Sequence, residues 1–252
     1  MRIFDVLCAS VPQDARIEDV SVGIFWTFVR TQYGSAISAT AHRWIEDPPG
    51  AIIPGAGSLV GRHVHEICEY YDLAALPARA LANTAVAASF SPDQMTGFRY
   101  EDKAQTLLAS LCAGSEKSKH IALIGHFHFA DALRELGHTL DIYELEHRCG
   151  AGDIPNSQIP ERLPSADIVV MTSSTLITHA TEDILSCCRP DAFKMIVGPT
   201  VPIHPALWEF GFDAICGNVI IDADQVARAV REGGNHKQLA GCQKINFLKK
   251  AQ

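Results

Sequence analysis

Long apolar runs are missing from this chain. No window approaches the ~20 consecutive apolar residues that a bilayer-spanning helix needs. The opening MRIFDVLCASVPQDARIEDV reaches polar positions too early for the ~7 to 15 residue apolar stretch of a signal peptide. The expectation is a cytoplasmic protein with no membrane partner. Basic runs are equally scarce: 21 Lys+Arg stand against 29 Asp+Glu for a formal charge of −8, and the clusters stop at pairs such as Lys117/Lys119 and Lys249/Lys250. Without a stripe to follow phosphates, nucleic acid is excluded as the main partner. Cys8, Cys68, Cys112, Cys149, Cys187, Cys188, Cys216 and Cys242 show no Cys-x-x-Cys spacing, so free thiols acting as small buried hydrophobes are expected in a reducing compartment. Internal repeats and low-complexity tracts are absent too.

What is present has two rhythms. In the first part, VSVGIFWTFVRTQ (Val20 to Gln32) alternates as strands do, and GSAISATAHRWI (Gly34 to Ile45) follows a Tyr33-Gly34 turn signal, which predicts a hairpin. Pro48-Pro49-Gly50 and Pro54-Gly55-Ala56-Gly57 predict a loop. Helical spacing then runs from Ser58 to Tyr71, from Leu76 to Phe90 and from Glu101 to Leu111. This part reads as an α+β unit over residues 1–114, hairpin first and helices on one face.

After a small, polar linker, Ala113 to Lys119, strand, turn and helix alternate. Strands are predicted at Ile121 to Ile124, Thr139 to Glu144, Ile168 to Thr172, Lys194 to Val197 and Ala214 to Cys216. Helices are predicted at Phe129 to Leu136, Leu176 to Cys187, Pro205 to Phe210 and Ala223 to Glu232. Continuous apolar strands alternating with helices predict a parallel sheet covered on both faces, a Rossmann-like α/β domain over residues 115–252.

In such sheets ligands sit beyond the carboxyl ends of the strands. That rule gathers Gly125-His126-Phe127, Glu144, Thr172-Ser173-Ser174-Thr175, Gly198-Pro199-Thr200 and Gly217-Asn218 into a polar crescent suited to an anionic group. The hydroxyl run also suits a plain helix cap. Glu144 stands where a ribose-binding acid stands in dinucleotide folds, yet the Gly-x-Gly-x-x-Gly turn is missing, which argues against a nicotinamide or flavin dinucleotide. His126, as hydrogen-bonding or acid/base group, is one reading of the histidine content. A transition metal held by His126, His128, His147, Cys149, His179, the Cys187-Cys188 pair or His204 is another, and surface or core histidines are the third. His63 and His65 read as ordinary surface or half-buried residues.

With these residues in view, the second part resembles the "putative heavy-metal chelation" family, a domain of unknown function. The resemblance rests on IALIGHF, YELE, PSADIVVMTSSTLIT, VGPTVPIHPALWEFGFDAICG and VIIDADQVARAVREGG, covering about Ile121 to Gly234. VGIFWTFV and LANTAVAAS extend it more weakly into the first part. It implies an enolase-N-terminal-like α+β domain followed by the Rossmann-like domain, with a pocket between them. Carried over, that pocket includes Gly125, His126, Phe127, Glu144, Thr172, Ser174, Thr175, Gly198, Pro199, Thr200 and Asp222, with Asn83 reaching in from the first domain. The sequence departs from the family pattern at Ser173 (glycine there), Thr178 (asparagine) and near His128 (proline), which puts specificity in doubt.

Three functions stay open. One is binding of a small anionic or nucleotide-like ligand, in heavy-metal chelation or chelator metabolism. Another is a transferase with a nucleoside-containing cofactor such as S-adenosylmethionine, Glu144 holding ribose hydroxyls and His126 acting as general base. The third is a non-catalytic interaction module. Homo-oligomerisation is open as well.

Overall fold

The computed structural model describes residues 1–41, 52–100, 104–112, 118–135 and 137–250. The Pro48-Pro49-Gly50 turn and most of the linker lie outside the described residues. In chain order the elements are α1 (Ile3–Ala9), β1 (Ile17–Val22), β2 (Trp26–Thr31), β3 (Gly34–Ala39), α2 (Val64–Cys68), α3 (Leu76–Ala87), β4 (Phe98–Tyr100) and α4 (Ala104–Cys112). There follow β5 (His120–Ile124), α5 (Ala130–Glu135), β6 (Thr139–Glu144), β7 (Ile154–Pro155), α6 (Ile159–Arg162), β8 (Ile168–Thr172), α7 (Thr175–Thr178) and α8 (Thr181–Cys187). The chain closes with β9 (Phe193–Val197), β10 (Ala214–Ile220), α9 (Ala223–Arg231) and β11 (Cys242–Leu248). None of the described helices is long and apolar enough to cross a membrane.

The small sheet is the predicted hairpin plus one strand: β1, β2 and β3 pair antiparallel in that order, with Thr31 opposite Gly34. Helix α3 covers it on one side. The other side is not left to solvent, because Phe28 and Ile37 pack on Val226 and Val230 of α9. The helix predicted from Ser58 begins only at Val64. Before it, Gly61 N and Ile17 N bond to Ile17 O and Arg62 O, so this stretch is spent on pairing with β1. Gly61, inside the predicted helix, also has a positive φ of 88°, which a helix does not accept.

The large sheet runs β4-β11-β10-β9-β8-β5-β6-β7. From β10 to β7 neighbouring strands are parallel, while β11 is antiparallel to both β10 and β4. Alternation sorts its apolar side chains: Ile121, Leu123, Val170 and Met195 enter one core cluster, whereas Ala122, Ile124, Val169, Met171 and Ile196 enter the other. That double coverage is why the strands read as unbroken apolar runs. The second of these clusters continues into the first part of the chain, through Ile3, Leu7, Val29 and Leu81. The chain thus forms a mixed α/β fold in which a small α+β unit docks on a Rossmann-like sheet.

Two differences from the sequence expectation matter. β4 and α4 lie before the expected 114/115 boundary, yet β4 pairs with β11, and Leu107 and Leu108 of α4 pack on the large sheet. The helix expected over Leu176 to Cys187 is broken at His179, which adopts a left-handed φ of 60° and ends α7. There its ring packs tilted against Tyr71 of the small unit, with centroids 4.4 Å apart, and the Tyr71 hydroxyl donates to Leu176 O.

Burial, reinforced by the nearby Arg79 guanidinium, pushes the His179 imidazole below the ordinary histidine value, and burial pushes His204 in the same direction. The folded state therefore favours neutral rings. The associated stability is fully present above about pH 6.5, the unfolded value, and is lost as pH falls below it. Urea unfolding at pH 7 and at pH 5.5 should show the midpoint falling with pH. His179→Asn, which tolerates the left-handed backbone, should make that fall shallower.

Candidate functional site

The parallel strands change direction of growth between β5 and β8, and both turns there are built for close approach. After β5, Gly125 takes φ +92° and donates its N–H to Tyr143 O at 2.8 Å. A Cβ at this position would lie 3.0 Å from Thr172 Cγ2, so a side chain is disfavoured by both backbone and neighbour. After β8, Thr175 Oγ1 donates to Thr172 O at 2.8 Å and accepts from Thr181 Oγ1 at 2.9 Å. Ser173, buried, accepts from Thr200 N at 3.2 Å. Its hydroxyl occupies the place where a Cβ on Gly198 would come, 2.3 Å away, with Gly198 at φ +139°.

Two chambers open over this switch point, and Thr172 lines both. The smaller, about 180 Å³, is polar: Gly125, His126, Glu144, Arg148, Asn156, Ser174, Thr175 and Thr178 are among its walls. His126 Nε2 lies 2.8 Å from Asp153 Oδ2, and that carboxylate also accepts from Gly150 N at 2.7 Å. Burial works to raise the Asp153 carboxyl, but the Gly150 amide and the His126 ring outweigh it and hold it below the usual carboxylate range. Glu144, buried, accepts from Leu145 N at 2.8 Å and faces the Arg148 guanidinium at 3.5 Å. Asn156 Oδ1 is buried with no hydrogen-bond partner among the described residues.

The larger chamber, about 400 Å³, is lined by Trp26 of the small sheet, by Phe127, His128 and Phe129, by Gly198-Pro199, and by residues of β10 and β11. One turn therefore serves both spaces, His126 facing the polar chamber and Phe127 the aromatic one. Phe127 stacks on buried Phe129 with ring centroids 5.0 Å apart. His128 is exposed and meets Phe129 edge-on at 5.5 Å.

The structure thus brings Gly125, His126, Glu144, Thr172, Ser174 and Thr175 together at the polar chamber, and Phe127, Gly198 and Pro199 at the aromatic one. Thr200 and Asn83 line neither. They are buried between the units, where Asn83 Nδ2 donates to Thr200 O at 2.8 Å and Ser38 Oγ at 3.0 Å, and Ala39 N donates to Thr200 Oγ1 at 3.1 Å. Asp222 caps α9, accepting from Gln225 N at 2.9 Å, beside an open surface depression shared with Arg30 and Asp224. His204 caps a short 3-10 turn and packs tilted against Phe90, and the Cys188 thiol, pushed up to about 11 by burial, donates to Ile184 O. Among the described residues, no three His, Cys, Asp or Glu side chains gather where they could hold one ion. Sequence reasoning did not find Asp153, Arg148 or Asn156: nothing in spacing links Asp153 to a histidine 27 positions earlier. Lys244 and Asn246 were missed because β11 was, and Trp26 because nothing in the sequence places the β2 strand beside the large sheet.

A small α+β unit fixed to a Rossmann-like sheet, with paired chambers at the switch point, defines the structural class. Residues 108–249 match the family model DUF364 and residues 4–90 match DUF4213, both described as "Putative heavy-metal chelation", and the chain belongs to that family. Its fold is similar to that of a DUF364-family protein of unknown function from Desulfitobacterium hafniense, with 19% identity over 98% of this chain and 97% of that one and a TM-score of 0.79. A DUF364-family protein of unknown function from Pyrococcus horikoshii is also similar, with 16% identity, 98% coverage of each chain and a TM-score of 0.74. At such identities the likeness carries the fold alone. No curated protein matches the chain.

The contact of Ser173 with Gly198 is testable as a cycle. Gly198→Ala should destabilise by about 2 to 3 kcal/mol through strain and overlap, and Ser173→Gly by about 1 kcal/mol through the lost bond to Thr200. Urea unfolding of the double variant should show less than the sum, because removing the hydroxyl relieves the overlap and leaves only the strained φ.

Proposed function

We propose that this protein binds a small anionic or nucleotide-like ligand in the cleft over the carboxyl ends of its parallel strands, and that it serves heavy-metal chelation through that molecule. The observation that carries the reading is the pair of chambers meeting at Thr172 on the switch point, the place where open α/β sheets take ligands. The polar chamber supplies hydroxyls, the Arg148 guanidinium and a buried carboxylate. These suit a sugar or anionic organic group. Glu144 ends β6, where it faces ribose hydroxyls of a nucleoside; His126, oriented by Asp153, sits within reach of the same space as an acid or base. That dyad favours, as second reading, a transferase using a nucleoside-containing cofactor such as S-adenosylmethionine. The walls of either chamber offer an organic ligand more donors than they offer a bare ion, so chelator metabolism is the form of metal handling supported here.

Thermal shift and calorimetry with adenosine 5′-monophosphate, S-adenosylhomocysteine and inorganic phosphate test the reading. A ligand at about 100 times its dissociation constant stabilises by about 2.7 kcal/mol, which for a chain of this size raises Tm by roughly 5 to 10 °C. At 1 mM, at least one nucleoside compound should produce such a shift, and Glu144→Ala should abolish it while Asp153→Asn weakens it. No shift from any of the three would overturn the reading. A Zn²⁺ titration run alongside separates direct uptake: a dissociation constant tighter than ~10 μM without any organic ligand would favour a bare-ion site instead.

A further inference from the structure

We infer that the larger chamber takes a flat organic anion, an aromatic or heteroaromatic ring carrying a carboxylate. The inference rests on the reading above, that the cleft is a ligand site, and names what that chamber selects. Its walls differ in kind from those of the polar chamber. Trp26 comes from the small sheet and Phe127 from the turn after β5, and the stack of Phe127 on buried Phe129 fixes one of these aromatic surfaces in place. Aromatic walls reward a planar ring over a puckered one of equal volume, because offset or edge-on ring contacts add to plain burial. A space of about 400 Å³ falls within the range of small-molecule sites.

The floor supplies the charge preference. In the β10–β11 register Cys216 stands opposite Asn246 and Asn218 opposite Lys244, so all four side chains leave the same face of the sheet, and all four line the chamber. Among the described residues, no aspartate or glutamate lines it. Lys244 makes no ion pair among the described residues, although the chain as a whole carries −8. Burial raises the Cys216 thiol far above its ordinary value and the Cys242 thiol to about 11, so neither adds negative charge at neutral pH. An ammonium with no carboxylate partner among the described residues, and two amide side chains beside aromatic rings, are the complement of an anionic, acceptor-rich ring. The indole N–H of Trp26, buried with no partner among the described residues, adds a donor whose desolvation is uncompensated.

Calorimetric or saturation-transfer NMR titration of the full chain with benzoate, cyclohexanecarboxylate and benzamide tests this. Benzoate should bind with a dissociation constant of about 1 mM or below, as a fragment of its size allows. Cyclohexanecarboxylate, which keeps the charge without the flat ring, and benzamide, which keeps the ring without the charge, should each bind at least about tenfold more weakly. Lys244→Gln, at an exposed position that leaves the core untouched, should weaken benzoate about tenfold and leave Tm unchanged; Trp26→Leu should weaken benzoate and bring cyclohexanecarboxylate level with it. Equal binding of the three probes, or benzoate binding unaffected by Lys244→Gln, overturns the inference. If benzoate does not bind while adenosine 5′-monophosphate still stabilises the protein, the chamber assignment falls and the general ligand reading stands. If neither binds, both fall.

Discussion

Thr200 holds the molecule together at the point where its two units meet. Its N–H donates to Ser173 in the turn after β8, its hydroxyl accepts from the Ala39 amide at the end of β3, and its carbonyl accepts from Asn83 of α3. Buried backbone and hydroxyl groups are expensive unless bonded, so satisfying all of them in one arrangement fixes that arrangement. Ala39 is also the register partner of Trp26. The wall of the aromatic chamber is therefore one strand pairing away from Thr200, and the turns that floor both chambers are held by the same residue.

Much of the large sheet was legible because its strands are buried on both faces and read as apolar runs of the right length. β11 was not, since Gln243 and Lys244 are exposed and Asn246 is a buried polar residue, which leaves no clean pattern of either period. The unbroken helix expected over Leu176 to Cys187 failed for a different reason: a histidine in the left-handed region carries no composition signal that a glycine would. At the site, Gly125 and the hydroxyl turn could be placed from topology alone, because strand ends define the rim. The partner of His126 could not, since the Asp153 loop reaches it only through the folded path of β6 and the turns after it. Thr200 entered as a pocket residue through the strand-end rule and Asn83 through family resemblance, and the structure finds both behind the pocket, in the joint between units.

The two chambers divide the chemistry of one cleft. Hydroxyls, a guanidinium and a fixed imidazole lie on one side of Thr172, aromatic rings and a lysine on the other. His126 and Phe127, adjacent in the chain, belong to different sides, so the backbone between them is common to both.

The short strand Phe98–Tyr100 bears on how separable the units are. It lies in the stretch that leads from one unit to the other, yet its backbone bonds complete the edge of the large sheet against β11. Cutting the chain after residue 114 would strip that cover from the seven-residue strand Cys242–Leu248 and leave its hydrogen-bonding groups open to pairing with another chain. The connection is part of the architecture it connects, and the two units are not interchangeable modules.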